Sequence, residues 1–300
     1  MKKFLSIFLS ATIIFTVFAG CSASNGKSSL DITLDSNIEM QSDVVKAYKS
    51  VCKAIMQGKE TVDFSKDIEY DVNLLLKSQF PLINLVDYIR YNEKNEIYDI
   101  SYKNSVEEHK TLVKNFSDKC NSIIKTAKET AKNSDVLFVM NIYKYFAQSI
   151  KDKTQTGNSY MAIMNNSGQS SAVSSAFEYI LIQSGINAAH IIGSTKDGAY
   201  AVWSAVEIDD KYYFFDPYSE SVKNGGNGLR YFGQTLQDKV NDGYSEECLT
   251  IVDEEAPECT DERFEIFKNS IVWAVDESDN SKVNITYSDG NYKQISVKEL

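Results

Sequence analysis

Apolar residues recur at helical spacing over 40–57, "MQSDVVKAYKSVCKAIMQ", where Val44, Ala47, Val51 and Ile55 share one face. That pattern predicts a helix. Residues 61–103 are less regular, with a buried short run at "LLL" and strand character at "EIYDISY". Helical spacing returns over 104–131, with Leu112, Phe116, Ile123 and Ile124 supplying parts of an apolar face. Asn133 and Ser134 offer a break and a cap, and "DVLFVMNIYKYFAQSI" is predicted as the next helix. Packing accounts for its repeated aromatics.

The second half changes period. A helix beginning near Ser170 buries Val173, Ala176, Phe177, Ile180 and Leu181, and Gly185 can terminate it. "NAAHIIGS" and "YAVWSAVEI" are predicted strands, with Asp209–Asp210 as the turn before "KYYFFD". "NGGNG", residues 224–228, is expected to be a flexible surface turn. Asp289–Gly290, between "KVNITYS" and "NYKQISV", signals a hairpin. The order of elements predicts an α+β chain, with helices first and an antiparallel sheet after them. No internal repeat interrupts it.

The first residues stand apart. Met1, Lys2 and Lys3 precede a mostly apolar stretch and then "FAGC". A basic head, a short apolar region and small residues make an export signal over 1–20. "FAGC" also resembles a bacterial lipobox, which implies lipidation of Cys21 and a polar tether over 21–38. The expected location is therefore the extracytoplasmic face of a bacterial membrane, held through the N-terminal lipid.

Charge narrows the partners. The net charge of -11 becomes -13 once 1–20 is removed, because two lysines and no acids go with it. No basic block rises above that background, so a nucleic-acid partner is not expected. Removing 1–20 leaves 280 residues, enough for one large domain or two small ones. Cys52, Cys120, Cys248 and Cys259 remain beside Cys21. Four cysteines allow three complete pairings, and a local Cys248–Cys259 bridge across an acidic loop is one possible link. Separate thiols are the alternative. No metal-ligand spacing joins them to a histidine, no GxGxxG, P-loop or HExxH motif is present, and no cofactor is expected.

Candidate chemistry lies in 168–217, at "GQSSAVSSAFEYILIQSGINAAHIIG" and "AVWSAVEIDDKYYFFDP". These stretches resemble the bacterial transglutaminase-like domain, which shares its architecture with papain-like cysteine proteases. The resemblance implies a transglutaminase-like domain over 131–300, ending in the C-terminal hairpin, behind a mainly helical region over 39–130. It places the family's catalytic cysteine at Ser170, its histidine at Ala201 and its aspartate at Asp216.

Two of those three positions have lost their chemistry. Cysteine ionises far more readily than serine, and alanine can neither take a proton nor orient one. The expectation is a non-catalytic binding or structural protein whose partner is a protein segment or a cell-wall peptide. Ser170, Trp203, Tyr212 and Asp216 are the residues expected around its cleft; Ser170 could equally serve as a helix cap, and a one-residue shift would put Ser171 at the family cysteine position with the same missing base. A rival assignment keeps an enzyme: Ser170, His190 and Asp216 could form a relocated triad in a serine-dependent amide hydrolase or acyltransferase. His109, in a charged helix, is expected to be solvated. Oligomeric state stays open.

Overall fold

The computed structural model describes residues 40–153, 157–250, 255–279 and 281–300. The expected leader, Cys21 and tether lie outside them. The chain is α+β, with helices and antiparallel sheets. None of its described helices is long and apolar enough to cross a membrane.

Helix α1 (Ser42–Gln57) buries the predicted stripe and stops at Gly58, whose left-handed φ of 64° lets its N–H reach back to the last carbonyls. After the short strand β1 (Thr61–Val62) comes α2 (Glu69–Gln79), which contains the "LLL" run. Strands β2 (Val86–Asn92) and β3 (Ile97–Tyr102) follow, and the three strands pair in the order β1-β3-β2. The region expected to be mainly helical thus carries a sheet of its own.

Helix α3 (Val106–Ala131) is capped by Ser105, and α4 (Asp135–Ser149) by Ser134, whose hydroxyl accepts from the Leu137 N–H at 3.2 Å. His109 is buried rather than solvated. It stands in register with Val113, Phe116 and Cys120, so it belongs to the apolar stripe of α3. Its Nε2 lies 2.7 Å from the Ile55 carbonyl, while Nδ1 is buried with no hydrogen-bond partner.

Helices α5 (Ser159–Asn165) and α6 (Ser170–Gln183) lead into the main sheet. That sheet comprises β4 (Ala188–Thr195), β5 (Tyr200–Ile208), β6 (Lys211–Phe215) and β7 (Tyr244–Thr250), in the order β6-β5-β4-β7. Asp209 and Asp210 both take left-handed φ, 51° and 61°, which suits the two-residue turn of the β5–β6 hairpin. Between β6 and β7 lie two short helices, α7 (Pro217–Lys223) and α8 (Leu236–Asn241).

Strands β8 (Ser270–Val275), β9 (Lys282–Tyr287) and β10 (Tyr292–Ser296) form a third sheet, which contains the predicted C-terminal hairpin. The "NGGNG" stretch is packed rather than free. A Cβ on Gly226 would come within 2.5 Å of the Ala147 carbonyl oxygen of α4.

Strand alternation divides the main sheet. His190, Val202, Ser204 and Val206 face α6, whereas Ala189, Ile191, Trp203, Ala205 and Phe214 form a smaller cluster on the opposite face. Gly193 stands opposite Ala201, and Trp203 lays its ring against it; a Cβ at position 193 would sit inside that indole. The larger core runs from Val44 to Leu300, so the N-terminal region and the domain share one hydrophobic interior. Both tryptophans lie beneath an ammonium: Lys239 Nζ is 4.6 Å from the Trp203 ring and Lys144 Nζ is 4.8 Å from the Trp273 ring.

Candidate functional site

Ser170 is the first residue of α6 and is not its cap. Gln169 holds the cap position and makes no side-chain cap bond. Gly168 leads in, where a Cβ would come within 2.6 Å of the Ala172 Cβ, so a bare backbone lets the chain enter the helix closely. Ser170 and Ser171 are both half-buried.

His190 does not meet Ser170. Its Nδ1 lies 2.9 Å from Glu178 Oε2 and 3.4 Å from the Ser175 hydroxyl. Glu178 is eight residues along α6 from Ser170, roughly 12 Å at 1.5 Å per residue. The second oxygen of Glu178 accepts from the Ser204 hydroxyl at 2.7 Å. Glu178, His190 and Ser204 are all buried, and they tie α6 to β4 and β5.

Ser175, His190 and Glu178 are not a displaced triad either. Serine and carboxylate meet the same ring nitrogen, whereas a relay needs them on opposite nitrogens. The crevice beside Ser175 and Glu178 holds about 10 Å³, too little for a substrate.

Asp216 belongs to a second network. Its backbone follows β6, and its side chain caps α7: Oδ1 accepts from the Ser219 N–H at 2.8 Å. Oδ2 lies 3.1 Å from Lys239 Nζ. The pair is closed to solvent, with side-chain exposures of 0% for Lys239 and 3% for Asp216. The ammonium sits 4.6 Å from the Trp203 ring and 4.8 Å from the Tyr244 ring. Cation–π attraction therefore supplements the ion pair in a desolvated box.

Beside the box, Tyr143 donates to Glu220 Oε2 at 3.1 Å and to the Asp216 carbonyl at 3.4 Å. Burial raises the Glu220 carboxyl above its ordinary range, opposed by hydrogen bonds from the Tyr231 N–H, Asn224, Tyr143 and the Arg230 N–H. Burial also pushes the Tyr143 phenol well up, with Glu220 and Asp216 adding to it.

The structure thus brings together Asp216 and Trp203, through Lys239. It does not join Ser170, His190 and Asp216: no hydrogen bond links any two of their side chains among the described residues. Ala201, on β5, packs against the small apolar cluster. Trp203 is fully enclosed and is a wall of the box, not a surface for a ligand. Tyr212 is half-buried on β6 and lies 3.4 Å from Glu207. The described cysteines Cys52, Cys120, Cys248 and Cys259 are free thiols, so the Cys248–Cys259 bridge is not formed. No cluster of three potential metal ligands occurs among the described residues.

Sequence reasoning missed Glu178, Lys239 and Tyr244. Glu178 carried a signal: a lone carboxylate inside "AFEYILI" must find buried donors. Lys239 carried none, because "LQDKV" reads as an exposed turn of helix.

No family model matches the chain, and no curated protein matches it. Among solved structures, a crystal structure of a TGase is similar over 52% of this chain and 48% of its own, with 11% identity and a TM-score of 0.29. The chain therefore spans about half the length of that protein.

Proposed function

We propose that this chain is a non-catalytic binding or structural protein built on a transglutaminase-like, papain-like architecture. It is exported and lipid-anchored at Cys21, and it engages a protein segment or cell-wall peptide at the surface around Ser170. The observation that carries this proposal is the closed Asp216–Lys239 pair. The aspartate that would orient a catalytic histidine instead holds a lysine, and both its oxygens are occupied. An ammonium paired with a carboxylate donates hydrogen bonds and accepts none, so it offers Ser170 no base. Ala201 at the histidine position points the same way. His190 lies against Glu178 and Ser175, and no hydrogen bond joins it to Ser170 among the described residues, which also supports the reading.

Amide hydrolysis and amine incorporation into a glutamine-containing peptide test the proposal. Wild type and Ser170→Ala should both stay at the background rate. Introducing Ser170→Cys with Ala201→His should not create turnover while Lys239 still occupies Asp216. Wild-type activity that disappears in Ser170→Ala would overturn the proposal, as would serine-probe labelling that depends on both Ser170 and His190.

A further inference from the structure

Strand β7 closes one side of the main sheet, and a groove of about 750 Å³ lies over the sheet face that carries Trp203 and Phe214, bordered by β7 and residues 255–260. The floor is apolar, built from Phe214, Leu236, Ala256 and Pro257. Leu249 borders the groove at β7 and remains 43% exposed. A second groove of about 260 Å³ adjoins the first and shares Leu236, Glu246, Cys259 and Thr260 with it. The two make one trough.

The charge on that trough has one sign. Glu246, Glu247, Glu255 and Glu258 line the larger part, and Glu262 lines the smaller part beside Glu246. All five are exposed, no lysine or arginine lines either groove, and none of the five enters an ion pair among the described residues. By contrast, Asp209, Asp238, Asp242 and Asp261 are each paired with Lys or Arg.

The backbone adds a template. On the outer side of β7, an isolated bridge joins Leu249 to Glu255, and the Ala256 N–H donates to the Cys248 carbonyl at 3.3 Å. No described strand pairs with Tyr244–Glu247 on that side. Beyond that bridge an extended chain could continue along Tyr244–Glu247, its side chains alternating between the two sides.

We propose that this trough docks an extended peptide segment in which lysine or arginine alternates with apolar residues. The apolar side chains would lie on the floor, and the cations would meet the glutamate rim. The inference deepens the binding role proposed above by naming the partner's chemistry and a second surface, and it does not depend on Ser170.

The test uses the chain from Ser22 onward, which retains the whole core, and a fluorescein-labelled peptide of alternating leucine and lysine read by anisotropy. One variant carries Glu→Gln at positions 246, 247, 255, 258 and 262. A control of equal net charge carries Glu→Gln at the exposed positions 60, 93, 129, 277 and 299. The peptide should bind wild type and the control within about twofold of each other. The groove variant should bind about thirtyfold more weakly, the product of five exposed charge pairs worth about twofold each. Equal weakening in both variants would overturn the proposal, as would equal binding of a leucine–glutamate peptide or no binding at all. Ser170-dependent turnover would sink the non-catalytic role and leave this measurement unaffected.

Discussion

Two buried polar networks flank the main sheet, and they solve the same problem differently. On the α6 side, Glu178 spreads its charge over two donors, His190 and Ser204, on two strands. On the opposite side, Asp216 meets a full countercharge, Lys239, roofed by Trp203 and Tyr244. The first network holds a helix to a sheet through hydrogen bonds. The second closes the place where the resemblance would put catalytic machinery, and it links α7, α8 and two strands. A buried carboxylate by itself therefore says little about catalysis; what it is bonded to decides.

The sharpest way to break the comparison is Lys239→Met. Removing one partner leaves a buried uncompensated carboxylate, and breaking such pairs costs about 3–5 kcal/mol. Urea unfolding should show that loss. Adding Asp216→Asn should recover part of it, because the two positions are coupled. Additive losses would mean that the pair is not interacting.

Glu178→Ala should cost less, about 2–3 kcal/mol, by stranding the Ser204 hydroxyl and leaving His190 Nδ1 to the longer Ser175 contact. Glu178→Gln keeps an acceptor and should fall between Ala and wild type. A Glu178→Ala loss as large as that of Lys239→Met would remove the distinction between a hydrogen-bonded network and an ion pair.

His109 extends the contrast to a group with a single partner, and its effect should be the smallest. Burial lowers its pKa, opposed by the Ile55 carbonyl, with Lys110 lowering it further. The unfolded chain then binds a proton more readily than the folded one. The contribution is thus fully present above the ordinary imidazole value, about 6.5, and is lost as pH falls below it. Unfolding midpoints measured between pH 7 and pH 5 should fall more for wild type than for His109→Leu. Parallel declines would show that His109 does not titrate differently on folding.

Much of the scaffold was legible from period alone. Helices α1, α3, α4 and α6 have apolar stripes and end near Gly, Asn or Ser, while β5 and β6 flank a two-aspartate turn. What escaped is instructive. His109 shares the spacing of Val113 and Phe116, but the surrounding charge of "SVEEHK" suggested solvent; the period outweighed the composition. Strand β7, "YSEECLT", is an edge strand whose acids obscure its alternation. The site was half legible. Asp216 was found because the resemblance places the family's aspartate there, before Pro217. Lys239 reaches it from 23 residues away, and only the tertiary fold brings the two together.

The lysine roofs also bear on how the molecule interacts with light. Trp203 and Trp273 are the chain's two tryptophans, each buried, each with an indole N–H lacking a hydrogen-bond partner, and each under an ammonium. Trp203 lies in the main sheet and Trp273 in the C-terminal one. Opening either sheet hydrates its indole and withdraws a cation from its ring at once. Intrinsic emission is consequently a built-in optical gauge with one chromophore per sheet, able to reveal whether the two sheets come apart together or in turn.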